Sequence, residues 1–112
     1  MNIQKFTSCN QPNRHLSAGE IDELLHELSA WQLVQHNKLN VLCKTYQFEN
    51  FATALAFTNQ VGEFAEQVNH HPEITLSWGS VTIIWYTHTM QGTQPNDFRC
   101  AAYCDELYTL IP

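Results

Sequence analysis

The stretch "QVNHHPEITLSWGSVTIIW", residues 67–85, decides the fold, because the period of the chain changes inside it. Upstream of it, Phe51, Ala54, Leu55, Thr58, Val61, Ala65 and Val68 recur at three- and four-residue steps, the apolar stripe of a helix that Asn50 is suited to cap. Pro72 excludes His71 from the α region, so this helix must end by about Asn69. Beyond it, "EITLSW" and "VTIIWYTH" read as strands, and Gly79-Ser80 between them is expected to form the tight turn of a hairpin.

The same grammar extends outward in both directions. In "LSAGEIDELLHELS", residues 16–29, Ser17 and Glu20 have capping-box spacing, and Ile21, Leu24, Leu25 and Leu28 share one helical face. "WQLVQ" (31–35) and "LNVLCKTYQF" (39–48) are strands about a turn centred on Asn37. After the loop "MQGTQ", Pro95 fits the first turn of a closing helix that runs through Asp97, Phe98, Ala101, Ala102 and Asp105 to about Leu110. Gln94 is a poor N-cap, for which Thr93 can substitute.

The order αββαββα predicts the α+β class: a four-stranded antiparallel sheet with helices on one face, a two-layer sandwich. Along the last strand Val81, Ile83 and Trp85 share one face, while Thr82, Ile84, Tyr86 and His88 share the other. The second face is therefore also partly apolar, and it is expected to meet a ligand or another subunit. Residues 1–15, polar and aperiodic, read as a mobile tail, and 16–112 as a single domain.

Composition narrows the function. A chain of 112 residues with 44% hydrophobic content supports one core, and its net charge of -6 disfavours direct binding to nucleic acid or anionic lipid. The N-terminus has no apolar signal region and no stretch approaches the roughly 18 apolar residues of a membrane span, so a soluble, cytoplasmic protein is expected. Cys9, Cys43, Cys100 and Cys104 are then expected as free thiols. Gly19, Gly62, Gly79 and Gly92 are too scattered for a phosphate-cradling loop, and no G-x-S-x-G elbow occurs.

The adjacent histidines admit three readings. A metal site fits poorly, since neighbouring side chains point apart and Cys100 and Cys104 have no second pair to complete a ligand set. Proton transfer is the second: His70 and His71 at the helix–strand junction could converge with His88 at the end of the returning strand. Glu66, four residues before His70, could hold that ring in one tautomer. The third is two solvated residues at a helix C-terminus, interacting with its dipole. Spacing alone leaves the last two open; His15, His26 and His36 take no role.

Glu66, His70-His71-Pro72, Trp78, Val81, Thr87-His88, Gly92 and Asp97, in this register, resemble the pterin-4a-carbinolamine dehydratases, also called dimerization cofactors of a homeodomain transcription factor. The resemblance covers nearly the whole domain, with the first helix, Trp31 and "YQFENF" where the family has counterparts. It departs at Gln94, where Ser or Thr is usual before the closing helix, and near His88, where Trp85-Tyr86 and Thr89-Met90 bear on pterin preference.

The resemblance implies a lyase that removes water from 4a-hydroxytetrahydrobiopterin to give quinonoid dihydrobiopterin, recycling the cofactor of an aromatic amino acid hydroxylase, with no metal, flavin or nicotinamide. It implies His70, His71 and His88 as the catalytic set, with His71 and His88 on opposite sides of the leaving hydroxyl and His70 held by Glu66. Glu66, Pro72, Trp78, Thr87, Thr89, Met90 and Asp97 follow as substrate-binding residues. Two of these have plainer readings: Trp78 as filler of the hairpin core, and Asp97 as an acid placed against a helix dipole. The resemblance also implies a homo-oligomer, dimer or tetramer. Its alternatives are a protein-binding module that partners a transcription factor, and a dehydratase-like protein acting on another pterin.

Overall fold

The computed structural model describes residues 16–87 and 93–111. The expected N-terminal tail and Cys9, together with His88, Thr89, Met90 and Gly92, lie outside the described residues.

Helix α1, Ala18–His26, starts as the sequence requires: the Ser17 hydroxyl accepts from the Glu20 N–H, and the Glu20 carboxylate accepts from the Ser17 N–H. Strands β1, Gln32–His36, and β2, Leu39–Gln47, form a hairpin whose two turn residues, Asn37 and Lys38, both have left-handed φ (52° and 68°). That geometry matches the natural twist of the strands. Helix α2, Phe51–Val68, is capped by the Asn50 side chain, which accepts from the Thr53 N–H at 2.9 Å.

The second hairpin pairs β3, Glu73–Ser77, with β4, Ser80–Trp85. Its turn is Trp78-Gly79 rather than Gly79-Ser80, because Ser80 is already paired with Ser77 on one side and Gln47 on the other. The glycine is needed for close approach: the Phe48 N–H donates to the Gly79 carbonyl at 2.8 Å, and a Cβ at 79 would lie 3.2 Å from the Phe48 carbonyl oxygen. Helix α3, Pro95–Thr109, has its proline in the first turn, as expected. Its N-cap is Gln94 and not Thr93; the Gln94 N–H donates to the Asp97 carboxylate at 2.7 Å, and the Asp97 N–H donates to the Gln94 carbonyl at 2.9 Å.

The sheet has the order β1-β2-β4-β3 with every pair antiparallel, which makes the chain an α+β two-layer fold. Leu42 and Tyr46 of β2 and Val81, Ile83 and Trp85 of β4 face α2 and α3, and all five are buried. They meet Phe57, Val61, Phe64 and Val68 of α2 and Phe98, Ala101 and Cys104 of α3. At the margin of this core the Asp105 carboxylate accepts from Trp31 Nε1 (3.1 Å), Lys44 Nζ (2.8 Å) and the Tyr46 hydroxyl (2.5 Å), tying α3 to β2.

The face away from the helices carries a smaller apolar strip of Val34, Val41, Cys43, Ile84 and Tyr86, in which Val41 is fully buried. His36 and Glu73, on the two outer strands, approach to 3.5 Å across it. The free thiols among the described residues are Cys43, partly exposed, and Cys100 and Cys104, both buried. No helix among these residues is long and apolar enough to cross a membrane.

Candidate active site

The junction between α2 and β3 is shaped by one residue. Asn69, at the C-cap of α2, sits in the left-handed region (φ 53°, ψ 44°), where asparagine is among the few residues that fit readily. The chain leaves the helix axis there, although the His70 N–H still donates to the Ala65 carbonyl at 3.2 Å. With the helical twist broken, His70 and His71 point to opposite sides: His70 inward over the sheet toward α3, His71 outward along α2.

His70 Nε2–H donates to Asp97 Oδ1 at 2.5 Å. A carboxylate only accepts, so this contact fixes the proton on Nε2 and leaves Nδ1 as the nitrogen not engaged by Asp97. Asp97 is fully buried, and its other oxygen accepts from the Thr87 hydroxyl (2.9 Å) and the Gln94 N–H (2.7 Å). A buried carboxylate with three donors has its charge compensated by fixed dipoles, and it favours the imidazolium form of the ring it holds. The imidazole of His70 also lies over the indole of Trp85, ring centroids 5.3 Å apart and planes 21° from parallel.

The second pair is exposed. His71 Nε2–H donates to Glu66 Oε2 at 2.5 Å, with both side chains largely in solvent. This overturns the expected pairing of Glu66 with His70. The four-residue step counts as one turn only while the helix lasts, and the left-handed Asn69 ends it one residue too early. His71 is swung back over the last turn of α2, and the acid for His70 comes instead from α3, 27 residues away in sequence.

The structure therefore brings together Glu66, His70, His71, Thr87 and Asp97, with Pro72 beginning the path into β3. It does not bring Trp78 to them. As a turn residue at the far end of the β3–β4 hairpin it is 73% exposed, so in this chain it neither fills the hairpin core nor faces the histidines. Two contacts were not anticipated: Gln94 with Asp97, and Trp85 with His70. The spacing of Gln94 and Asp97, three apart at a helix start, carries a capping signal that pointed to the acid's inward orientation. Trp85 was legible as a core-side strand residue and as a departure bearing on pterin preference, but nothing in the sequence signalled its contact with His70. Among the described residues no group of three or more His, Cys, Asp or Glu side chains is arranged to hold a metal ion.

Comparison with known proteins places these features in a family context. A family model described as pterin 4 alpha carbinolamine dehydratase matches residues 14–107. A relative from Vibrio cholerae, named as a candidate pterin-4-alpha-carbinolamine dehydratase, is 45% identical over 100 residues, which is 89% of this chain and 92% of the relative. One of the same designation from Chlorobium luteolum is 41% identical over 108 residues, covering 96% and 95%. Among solved structures, a transcriptional coactivator/pterin dehydratase from Brucella melitensis superposes with a TM-score of 0.78 at 28% identity, over 84% of this chain and 98% of that one. A pterin dehydratase-like protein identified as a RuBisCO assembly factor in the alpha-carboxysome shares the fold, with a TM-score of 0.60 at 22% identity over 70% and 89%.

Proposed function

Because the chain belongs to the pterin-4-alpha-carbinolamine dehydratase family, we propose that it removes water from a 4a-hydroxytetrahydropterin, with 4a-hydroxytetrahydrobiopterin as the reference substrate and the quinonoid dihydropterin as product. The observation that carries this reading is the pair of adjacent imidazoles, each held by its own carboxylate: His70 by Asp97 and His71 by Glu66.

The chemistry needs two proton transfers. Hydroxide is a poor leaving group, so an acid protonates the oxygen on C4a while the N5 lone pair forms the C4a=N5 double bond and water departs. A base then takes the proton from N5. Histidine performs both tasks near neutrality, each contact contributing roughly 10²- to 10⁴-fold. His70, whose protonated form is favoured by buried Asp97, is suited to deliver the proton; His71, oriented by Glu66, stands on the solvent side of the same junction. His88 belongs to the proposed catalytic set through the family motif, as do Thr89 and Met90 to the proposed substrate contacts.

The reading extends to a single domain over 16–112, to homo-oligomers, and to a place beside an aromatic amino acid hydroxylase. A role as a binding module alone would leave no need for two intact carboxylate–histidine pairs. Stopped-flow absorbance of 4a-hydroxytetrahydropterin, generated in situ by a hydroxylase, tests the proposal. Wild type is expected to accelerate its decay, and His70→Ala to lose most of that acceleration. No acceleration by folded wild-type protein would overturn the reading.

A further inference from the structure

We infer that Trp85 is a positioning residue for His70, an aromatic floor that holds the ring flat and stabilises its protonated form; its place in turnover rests on the dehydratase reading, but its effect on His70 does not. Three observations carry this. The two rings are offset and nearly parallel, at 5.3 Å and 21°. Trp85 is fully buried, with Phe64 packed edge-on against it at 6.4 Å and 77°. Its Nε1–H donates to Cys104 Sγ at 3.4 Å, so the indole is tethered to α3, the helix that also supplies Asp97.

The consequence follows from restraint and charge together. Asp97 grips one edge of the imidazole, and the indole supports its face. A ring held at edge and face cannot rotate about its Cβ–Cγ bond without losing one of the two contacts. The face of an indole is electron-rich, and tryptophan is the strongest of the natural side chains in attracting a cation placed over it. Trp85 and Asp97 thus favour the imidazolium from two directions. Phenylalanine at position 85 would keep a weaker π face, and leucine would remove it.

Among the described residues, the titratable and charged groups around this junction can be named. From α3 come Asp97 and, behind the indole, Cys104, whose thiol burial pushes up to about 12, leaving it neutral throughout. From α2 comes Glu66, engaged by the neighbouring His71. From β3, Glu73 lies on the opposite face of the sheet, where it approaches His36 at 3.5 Å. Just beyond β4, Thr87 adds an uncharged hydroxyl on Asp97.

The experiment is an NMR titration of the His70 imidazole in wild type, Trp85→Phe and Trp85→Leu, with Trp78→Ala, at the exposed far turn of the hairpin, as the control for loss of an indole elsewhere. In Trp85→Leu the His70 midpoint is expected to fall by about half a unit to one and a half units, with a smaller fall in Trp85→Phe. The limb of the kcat–pH profile assigned to His70 should move by the same amount. In wild type, the Trp85 indole resonances should shift with the His70 midpoint, a readout that needs no variant to fold. An unchanged midpoint in folded Trp85→Leu, or an indole that ignores the His70 titration, would overturn the inference. If no dehydratase activity exists, the kcat arm disappears while the NMR arms still decide, so the two failures are distinguishable.

Discussion

Asp97→Asn is the sharpest perturbation of this site, because the substitution keeps shape and removes only charge and one acceptor. In the native protein Oδ2 accepts from Thr87 and Gln94, and Oδ1 from His70. The Asn carbonyl can take over both Oδ2 contacts, which turns its NH2 group toward His70. Two donors then face each other unless His70 moves its proton to Nδ1 and accepts at Nε2. The stability loss is one charge-assisted hydrogen bond, about 1.5–3 kcal/mol, or a fall in Tm of roughly 10 °C for a domain of this size. On the dehydratase reading the expected catalytic loss is larger, because His70 would present the wrong tautomer and its imidazolium would lose its counter-charge: roughly 10²- to 10⁴-fold in kcat. Urea unfolding gives the first quantity, stopped-flow pterin decay the second, and ¹⁵N shifts of His70 report the tautomer. A folded Asp97→Asn protein that turns over within about threefold of wild type would refute the dyad as a working unit.

Other consequences are open to direct measurement. Asp105→Ala leaves the Trp31 indole, the Lys44 ammonium and the Tyr46 hydroxyl without their shared acceptor, so urea unfolding should show a loss of about 1–3 kcal/mol, with turnover per folded chain unchanged. Trp78→Ala, at a turn exposed to 73%, should change stability by no more than about 0.5 kcal/mol and leave pterin decay as fast as in wild type; a collapse of activity would place this indole in the site after all. Stability should also fall at alkaline pH. Burial raises both the Cys104 thiol, to about 12, and the Tyr46 phenol, the latter with help from Cys104 and Asp105. The folded state thus holds protons that the unfolded chain gives up from about pH 9, so stability is full below that point and declines as pH rises toward 12. The expected slope is about 1.4 kcal/mol per pH unit for each such group, read from denaturation midpoints across the range; a flat profile would contradict it.

The backbone of this protein could be read from its sequence because the decisive signals are local. Ser17 with Glu20, Asn50, Pro72 and Pro95 each act within one turn of chain, and the change of period at residues 67–85 separates helix from hairpin without reference to anything distant. The misplaced turn shows the resolution of such reading. Whether Ser80 belongs to the turn or to β4 depends on its pairing with Gln47, a partner 33 residues away.

The candidate site was legible as residue types along the chain and not as a set of contacts. His70 and His71 stood out by type and Glu66 by spacing, while Thr87 and Asp97 followed from the family resemblance; Glu66 pairs with the other histidine, and Trp78 lies at an exposed turn away from both. Sequence by itself determined which chemistry-bearing groups exist and which elements carry them, because hydrophobic period and capping are properties of neighbouring residues. Only the tertiary structure decided which acid holds which base. That choice depends on a left-handed Asn69 turning two adjacent side chains apart, and on α3 packing its first turn against the end of β4, where Asp97, itself bonded by Thr87, and the face of Trp85 meet one imidazole. Hydrogen bonds that span tens of residues form where packing brings their partners together, and packing is a property of the folded chain.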